Sequence, residues 1–336
     1  MFSASIVAVA ACGARTGLPP GEADTSSGGA PPALDAGRDA PVIDTADGGP
    51  DAFDAPPDVF DAPTDVFDAP PDAIPDAAPD VTVDDCQDAG VTYIYLIGND
   101  NQLIRFDPST LLPTTIGTIS CPIANPMAAP TPYSMAVDRQ GIASVVFTDG
   151  ELFRVSTATA SCEATGFQIG QGGFSAQFGM GYSSDTGDTG ETLFVVGNVS
   201  MELATLDPAT LLIKPVGTFS SPIGEAELTG TGSGELYAFG LVVENHMTSA
   251  LHLAQIDKPT AQVIADVFVT VQSGSAQIFD WAFAYWSGDF YFFTSSDNAS
   301  TIVSRYHPGG PLALPVVATI GSAIVGAGVS TCAPHP

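Results

Sequence analysis

The sequence predicts an all-β domain built from five repeated four-stranded units, and three observations carry that prediction. The first is an internal repeat: DPSTLLPTTIGTISCPI at residues 107–123 returns as DPATLLIKPVGTFSSPI at 207–223, with ten of seventeen positions identical. The second is its period, because lining up the turn after each apolar stretch gives Asp107, Ser156, Asp207, Asp257 and His307, spaced by 49 to 51 residues. The third is the lack of any helix of useful length, since glycine and β-branched residues interrupt every candidate.

Each period parses into four short strands, A to D, divided by turn signals. In the second unit A covers about 134–138, B 143–148, C 151–155 and D 162–168, with Asp-Arg-Gln-Gly, Asp-Gly-Glu and Ser-Thr-Ala-Thr between them. The third unit has FGMGYSS, TLFVVGN, MELATLD and IKPVGTF; the fourth has AELTGTG, GELYAFGLV, LHLAQID and AQVIADVFV. The fifth has DWAFAYW, DFYFFTSS, TIVSRYH and LPVVATIG. One such meander per period of about 50 residues is a propeller blade.

The first unit has no A strand of its own: YIYLIGN at 93–99 reads as B, LIRFD as C and PTTIGTI as D. At the other end VGAGVSTC, residues 325–332, has A-strand character and nothing after it. The expectation is that it inserts beside residues 93–99 and closes a five-bladed ring with strands from both termini, which also removes open sheet edges between the ends.

The cysteines fit that closure. Apart from Cys12 there are four, Cys86, Cys121, Cys162 and Cys332, and no CxxC or Cys/His spacing that suggests zinc. In the closed ring Cys332 ends strand A of the first blade and Cys86 lies just before its strand B, so a Cys86–Cys332 bond clasps the closure. Cys121 with Cys162 then joins the first two blades, and Ser221 replaces Cys121 in the second copy of the repeat.

The domain plan is 1–12, 13–85 and 86–336. Residues 13–85 are dominated by Ala, Asp, Pro, Gly and Thr, with the near-repeats DAPPDVF, DAPTDVF and DAPPDAI. With few apolar residues to bury and charges of one sign, this stretch is expected to be a disordered spacer, spanning roughly 50 Å as a coil and about 200 Å when extended. Phe53, Phe60 and Phe67 are its recurrent hydrophobic beads. The net charge is −30, and acids outnumber bases both in the spacer and in the repeats. Such a charge repels phosphate backbones and anionic membrane faces, which excludes nucleic acid as a partner and favours cations or basic groups.

Candidate chemistry is sparse. There is no GxSxG elbow, Walker loop or GxGxxG after a strand, and His246, His252, His307 and His335 are scattered without HxH or HExxH spacing. Asp185, Asp188 and Glu191 lie in a long A-to-B turn of the third blade and are weak calcium candidates, lacking alternating DxDxDG ligands. Pleat alternation puts Phe178, Met180 and Tyr182 on one side of their A strand and Gly179 and Gly181 on the other; it separates Trp281, Phe283 and Tyr285 from Ala282 and Ala284 in the same way. The small set, with Gly326 and Gly328, is expected to face the narrow axis. The same parity turns Ser134, Glu227 and Asp280 inward and puts Asp138 at the far end of its strand. Glu227 and Asp280 together suit a cation or a basic ligand group; water reaches such a mouth, so acids without a ligand are the simpler reading.

The start, MFSASIVAVAACGART, carries a short apolar run ending in Val9-Ala10-Ala11-Cys12. This resembles the lipobox of bacterial lipoproteins, although no Lys or Arg precedes the run. The resemblance implies cleavage before Cys12 and lipidation of its thiol, hence export, disulfide-permissive surroundings and a membrane contact through the lipid anchor alone. The repeats resemble β-propeller proteins in general. Together these features describe an exported, monomeric envelope lipoprotein that displays a propeller as a binding or scaffolding module, with a surface protein or glycan as ligand and no cofactor. The alternative is a calcium-dependent hydrolase or lyase with its acids at the channel mouth.

Overall fold

The computed structural model describes residues 86, 93–186, 190–244, 247–271, 277–310 and 312–334. The expectations for Cys12, the spacer, Asp188, His246 and His335 lie outside the described residues.

The strands fall where the turn signals put them. The first blade supplies β1 (Ile94–Gly98), β2 (Gln102–Asp107) and β3 (Leu112–Thr118). The second is β4 (Pro132–Val137), β5 (Ile142–Phe147), β6 (Leu152–Ser156) and β7 (Cys162–Ala164). The third is β8 (Phe178–Ser184), β9 (Glu191–Gly197), β10 (Glu202–Leu206) and β11 (Ile213–Thr218). The fourth is β12 (Ile223–Gly230), β13 (Leu236–Glu244), β14 (Met247–Asp257) and β15 (Gln262–Phe268). The fifth is β16 (Asp280–Trp286), β17 (Asp289–Ser295), β18 (Thr301–Tyr306) and β19 (Leu314–Ile320), and β20 (Ile324–Val329) follows. All five sheets are four-stranded, and the first has the order β20-β1-β2-β3. The C-terminal strand therefore closes the ring, with Ile94 opposite Val329 and Leu96 opposite Ala327.

One turn explains the internal repeat. Asp107 accepts the Leu111 amide on its carbonyl, and Ser156, Asp207 and Asp257 do the same for Ala160, Leu211 and Ala261. The four donors, Leu111, Ala160, Leu211 and Ala261, are in the left-handed region with φ of 59° to 61°. The Asp side chains cap the turn as well: Asp107 Oδ1 accepts from the Ser109 amide at 2.9 Å, and Asp207 Oδ1 from the Ala209 amide at 2.8 Å. What recurs every 50 residues or so is thus the C-to-D turn, whose geometry fixes the residues around it.

Strand D of the second blade is shorter than expected. It stops at Ala164 because the Thr165 hydroxyl turns back onto the Leu152 carbonyl at 2.7 Å and Gly166 takes a positive φ of 78°. Cys162 in this strand is bonded to Cys121 with Cα atoms 5.0 Å apart, so the first two blades are covalently joined. Cys86 and Cys332 are bonded across 5.3 Å, 246 residues apart in sequence.

The innermost strands β4, β8 and β20 are buried along their whole length, whereas the outer strand β3 is mostly exposed. Five apolar clusters lie between adjacent blades; Trp281, Phe283 and Phe290 pack with Phe239, and Phe178, Met180 and Tyr182 with Tyr133 and Val146. Alternation along the inner strands is as expected, but the small set faces the neighbouring inner strand and not the axis. A blade is a radial sheet, so its side chains leave toward the blades on either side and only a strand edge faces the centre. A Cβ on Gly179 would stand 2.0 Å from the Ala226 carbonyl oxygen, and one on Gly181 2.6 Å from that of Leu228. Glycine lets β8 lie directly against β12.

Candidate functional site at the propeller axis

Two polar clusters sit where the inner strands meet. The first joins the inner strands of three blades. A bulge in β12 between Gly224 and Glu227, with Glu225 at φ 48°, sets the register of the Glu227 side chain. Glu227 is 2% exposed and reaches from the fourth blade to the second, where Ser134 Oγ donates to its Oε2 at 2.5 Å. The Met180 amide donates to the same Ser134 oxygen at 3.1 Å. Three inner strands, β4, β8 and β12, are thereby tied together by one carboxylate and one hydroxyl. Of the three residues proposed for this site, the structure joins Ser134 and Glu227. Asp280 stands at the first position of β16, half-buried and paired in register with Ser295.

The second cluster lies at the end of the ring where the A strands turn into the B strands. Arg139 follows Asp138 at the exit of β4 and is 6% exposed, in a domain with only five other Lys or Arg. Its Nε donates to Thr331 Oγ1 and its Nη2 to Ser184 Oγ, both at 2.8 Å. Glu191, at the start of β9, accepts the Arg139 amide on Oε1 at 2.7 Å and the Thr331 hydroxyl on Oε2 at 2.8 Å. Lys258 comes from the fourth blade and donates to the Ser184 carbonyl at 2.6 Å and to Ser183 Oγ at 3.1 Å. The second, third and fourth blades and the segment after the closing strand are thus fastened at one point, next to the Cys86–Cys332 bond.

The electrostatics of this cluster follow from burial. Loss of water pushes the Glu191 carboxyl up from 4.5 to about 7; the Arg139 amide, the Thr331 hydroxyl and the Arg139 guanidinium pull it down, while the Asp138 charge adds to the rise. Burial also raises Asp138, against the Ile142 and Gln140 amides that its carboxylate accepts, and it lowers Lys258 against the charges of Asp185 and Glu235. A carboxyl that titrates near neutrality has the property of a general base. Here both of its oxygens are engaged and its side chain is 10% exposed, so the arrangement suits a proton-sensitive fastening of the ring.

Two members of the weak calcium set have hydrogen-bond partners within the domain. Asp185 Oδ1 accepts from the Thr192 hydroxyl at 2.7 Å, and Glu191 turns toward Arg139 and Thr331. Among the described residues no group of three or more His, Cys, Asp or Glu is placed to hold a metal ion. His252 and His307 each pair with a carboxylate, Asp266 at 2.7 Å and Asp289 at 2.8 Å. Sequence reasoning missed Arg139, Thr331 and Lys258. The one available signal was an Arg directly after an inner strand in a domain so poor in bases.

The chain is therefore an all-β, five-bladed propeller closed by its C-terminal strand. No protein-family model matches it, and no curated protein matches it by sequence. Among solved structures it is similar to a chain in the crystal structure of a nidogen/laminin complex, at 10% identity and TM-score 0.43, over 72% of this chain and 99% of that one. It is also similar to a chain of Kuenenia stuttgartiensis hydrazine synthase, at 11% identity and TM-score 0.36, over 66% of this chain and 65% of that one.

Proposed function

We propose that this protein is an exported lipoprotein, anchored to the bacterial envelope through Cys12, that presents the propeller as a binding or scaffolding module at the end of its 13–85 spacer. The observation that carries this reading is the Cys86–Cys332 disulfide. Disulfides persist in oxidising compartments, which supports export. Its position supports a tether: Cys86 is where the spacer meets the domain, and Cys332 follows the strand that completes the first blade. A pull on the spacer is carried by a covalent bond to the closure and not by the hydrogen bonds of β1 alone.

The competing reading, a calcium-dependent hydrolase or lyase, draws less support. Glu227 and Ser134 are buried and used in holding inner strands together. The experiment that tests the proposal is metabolic labelling with a clickable fatty acid in a bacterial host, with Cys12→Ser alongside. Label on the wild-type chain in the membrane fraction, lost in the variant, supports the anchor; equal labelling of both, or none, refutes it.

A further inference from the structure

Among the described residues every blade ends in an outer strand with one unpaired edge, and four of the five edges are blunted. β3 carries Pro113, β11 carries Lys214 and Pro215, and β19 carries Pro315. β7 has three residues and is held by the Cys121–Cys162 bond. Prolines, lysines and short length are the devices by which sheet edges avoid pairing with other chains.

β15 has no proline, no lysine and full length; what protection it carries is Asp266, which pairs with His252, and a register shift opposite Gln255 and Ile256. Its sequence is QVIADVF, seven residues without Pro, Lys, Arg or Gly, and six of the seven are exposed. Ile264 and Phe268 are each 59% exposed and Val267 43%. The Val269 amide donates inward to the Leu251 carbonyl and Val267 pairs with Leu253. By the alternation of an antiparallel ladder, the Asp266 and Phe268 amides therefore point away from the blade. Among the described residues β15 pairs only with β14, and β14 begins at Met247, five residues before its pairing with β15 starts at His252. The open edge thus borders a projecting two-stranded hairpin.

Charge decides the occupant. Residues 91–336 hold 20 acidic and 6 basic residues, and the spacer region is acidic too. A second copy of the chain brings the same sign of charge. The spacer brings it as well, along with prolines that cannot pair along a ladder. We infer that β15 is a strand-addition site for an extended segment of another protein that alternates apolar and basic side chains, its backbone pairing with Asp266 and Phe268 and its apolar side chains lying beside Phe268 on one face of the sheet.

This inference deepens the binding-module reading and rests on it. It is tested on the full chain with a synthetic peptide of alternating lysine and valine as probe, the same peptide with a central proline, and its glutamate counterpart. Binding is read by fluorescence anisotropy and by amide hydrogen exchange. The expected result is binding of the lysine–valine peptide with new protection at Asp266 and Phe268, weakened about tenfold or more by Phe268→Pro and by Phe268→Lys with melting unchanged. Equal binding of the proline-interrupted peptide would reduce the effect to bulk charge and overturn the site. Unchanged binding in both variants, or a dimer of the chain abolished by Phe268→Pro, would overturn it too. Cys12 labelling is read independently, so loss of the β15 site and loss of the anchored-module reading give different patterns.

Discussion

Glu191 should make this protein less stable as the pH rises through neutrality, the reverse of a surface carboxylate. Its carboxyl is raised from 4.5 to about 7, chiefly by burial. The native state therefore holds a proton that the unfolded chain has already released, and stability from this group is full below pH 4.5 and lost as the pH approaches and passes 7. A shift of roughly 2.5 units at 1.36 kcal/mol per unit amounts to about 3 kcal/mol between pH 4.5 and pH 8. Glu191→Gln keeps an acceptor for the Arg139 amide and removes the titration. Urea unfolding of wild type and variant at intervals between pH 5 and pH 8 reads the effect directly. The expected outcome is a wild-type decline that the variant lacks, with the variant equal or more stable at pH 8. If the variant keeps the full wild-type slope, the Arg139–Glu191–Thr331 fastening is not what sets the pH response.

The other predictions rest on different parts of the ring. Gly179→Ala forces a methyl into the Ala226 carbonyl, 2.0 Å from where the Cβ must lie, and should cost about 3 kcal/mol or more in denaturant unfolding. Replacing Cys121 and Cys162 by serine opens a cross-link 41 residues apart and should cost about 4 kcal/mol on the chain-entropy account, measured as a lower unfolding midpoint without added reductant. Calcium should leave the melting temperature of wild type, Glu227→Gln and Asp280→Asn alike; a stoichiometric rise confined to wild type would favour the enzyme reading.

The fold was legible because its constraints are local and recur. The C-to-D turn needs a residue in the left-handed region four places after Asp107, Ser156, Asp207 and Asp257, and that need wrote a period into the chain. Counting strands then left one A strand missing and one spare, and β20 fills the gap beside β1. The two disulfides followed from that topology. The axial clusters were less legible. Period-two alternation sorts side chains into two faces but does not say which face meets what, so Gly179 and Gly181 were expected at the axis and lie instead on β12. Arg139, Ser184, Glu191, Lys258 and Thr331 share no spacing or motif; they meet only because the ring brings the ends of its inner strands together.

The central claim, a tethered propeller clasped at the point of attachment, is tested most directly by peptide mass mapping, without reduction, of the protein isolated from the cell envelope. The expected result is a first peptide that begins at Cys12 and carries a lipid mass, together with a peptide pair joined through Cys86 and Cys332. A Cys12 without lipid inside a longer peptide, with Cys86 and Cys332 recovered as free thiols, would contradict it.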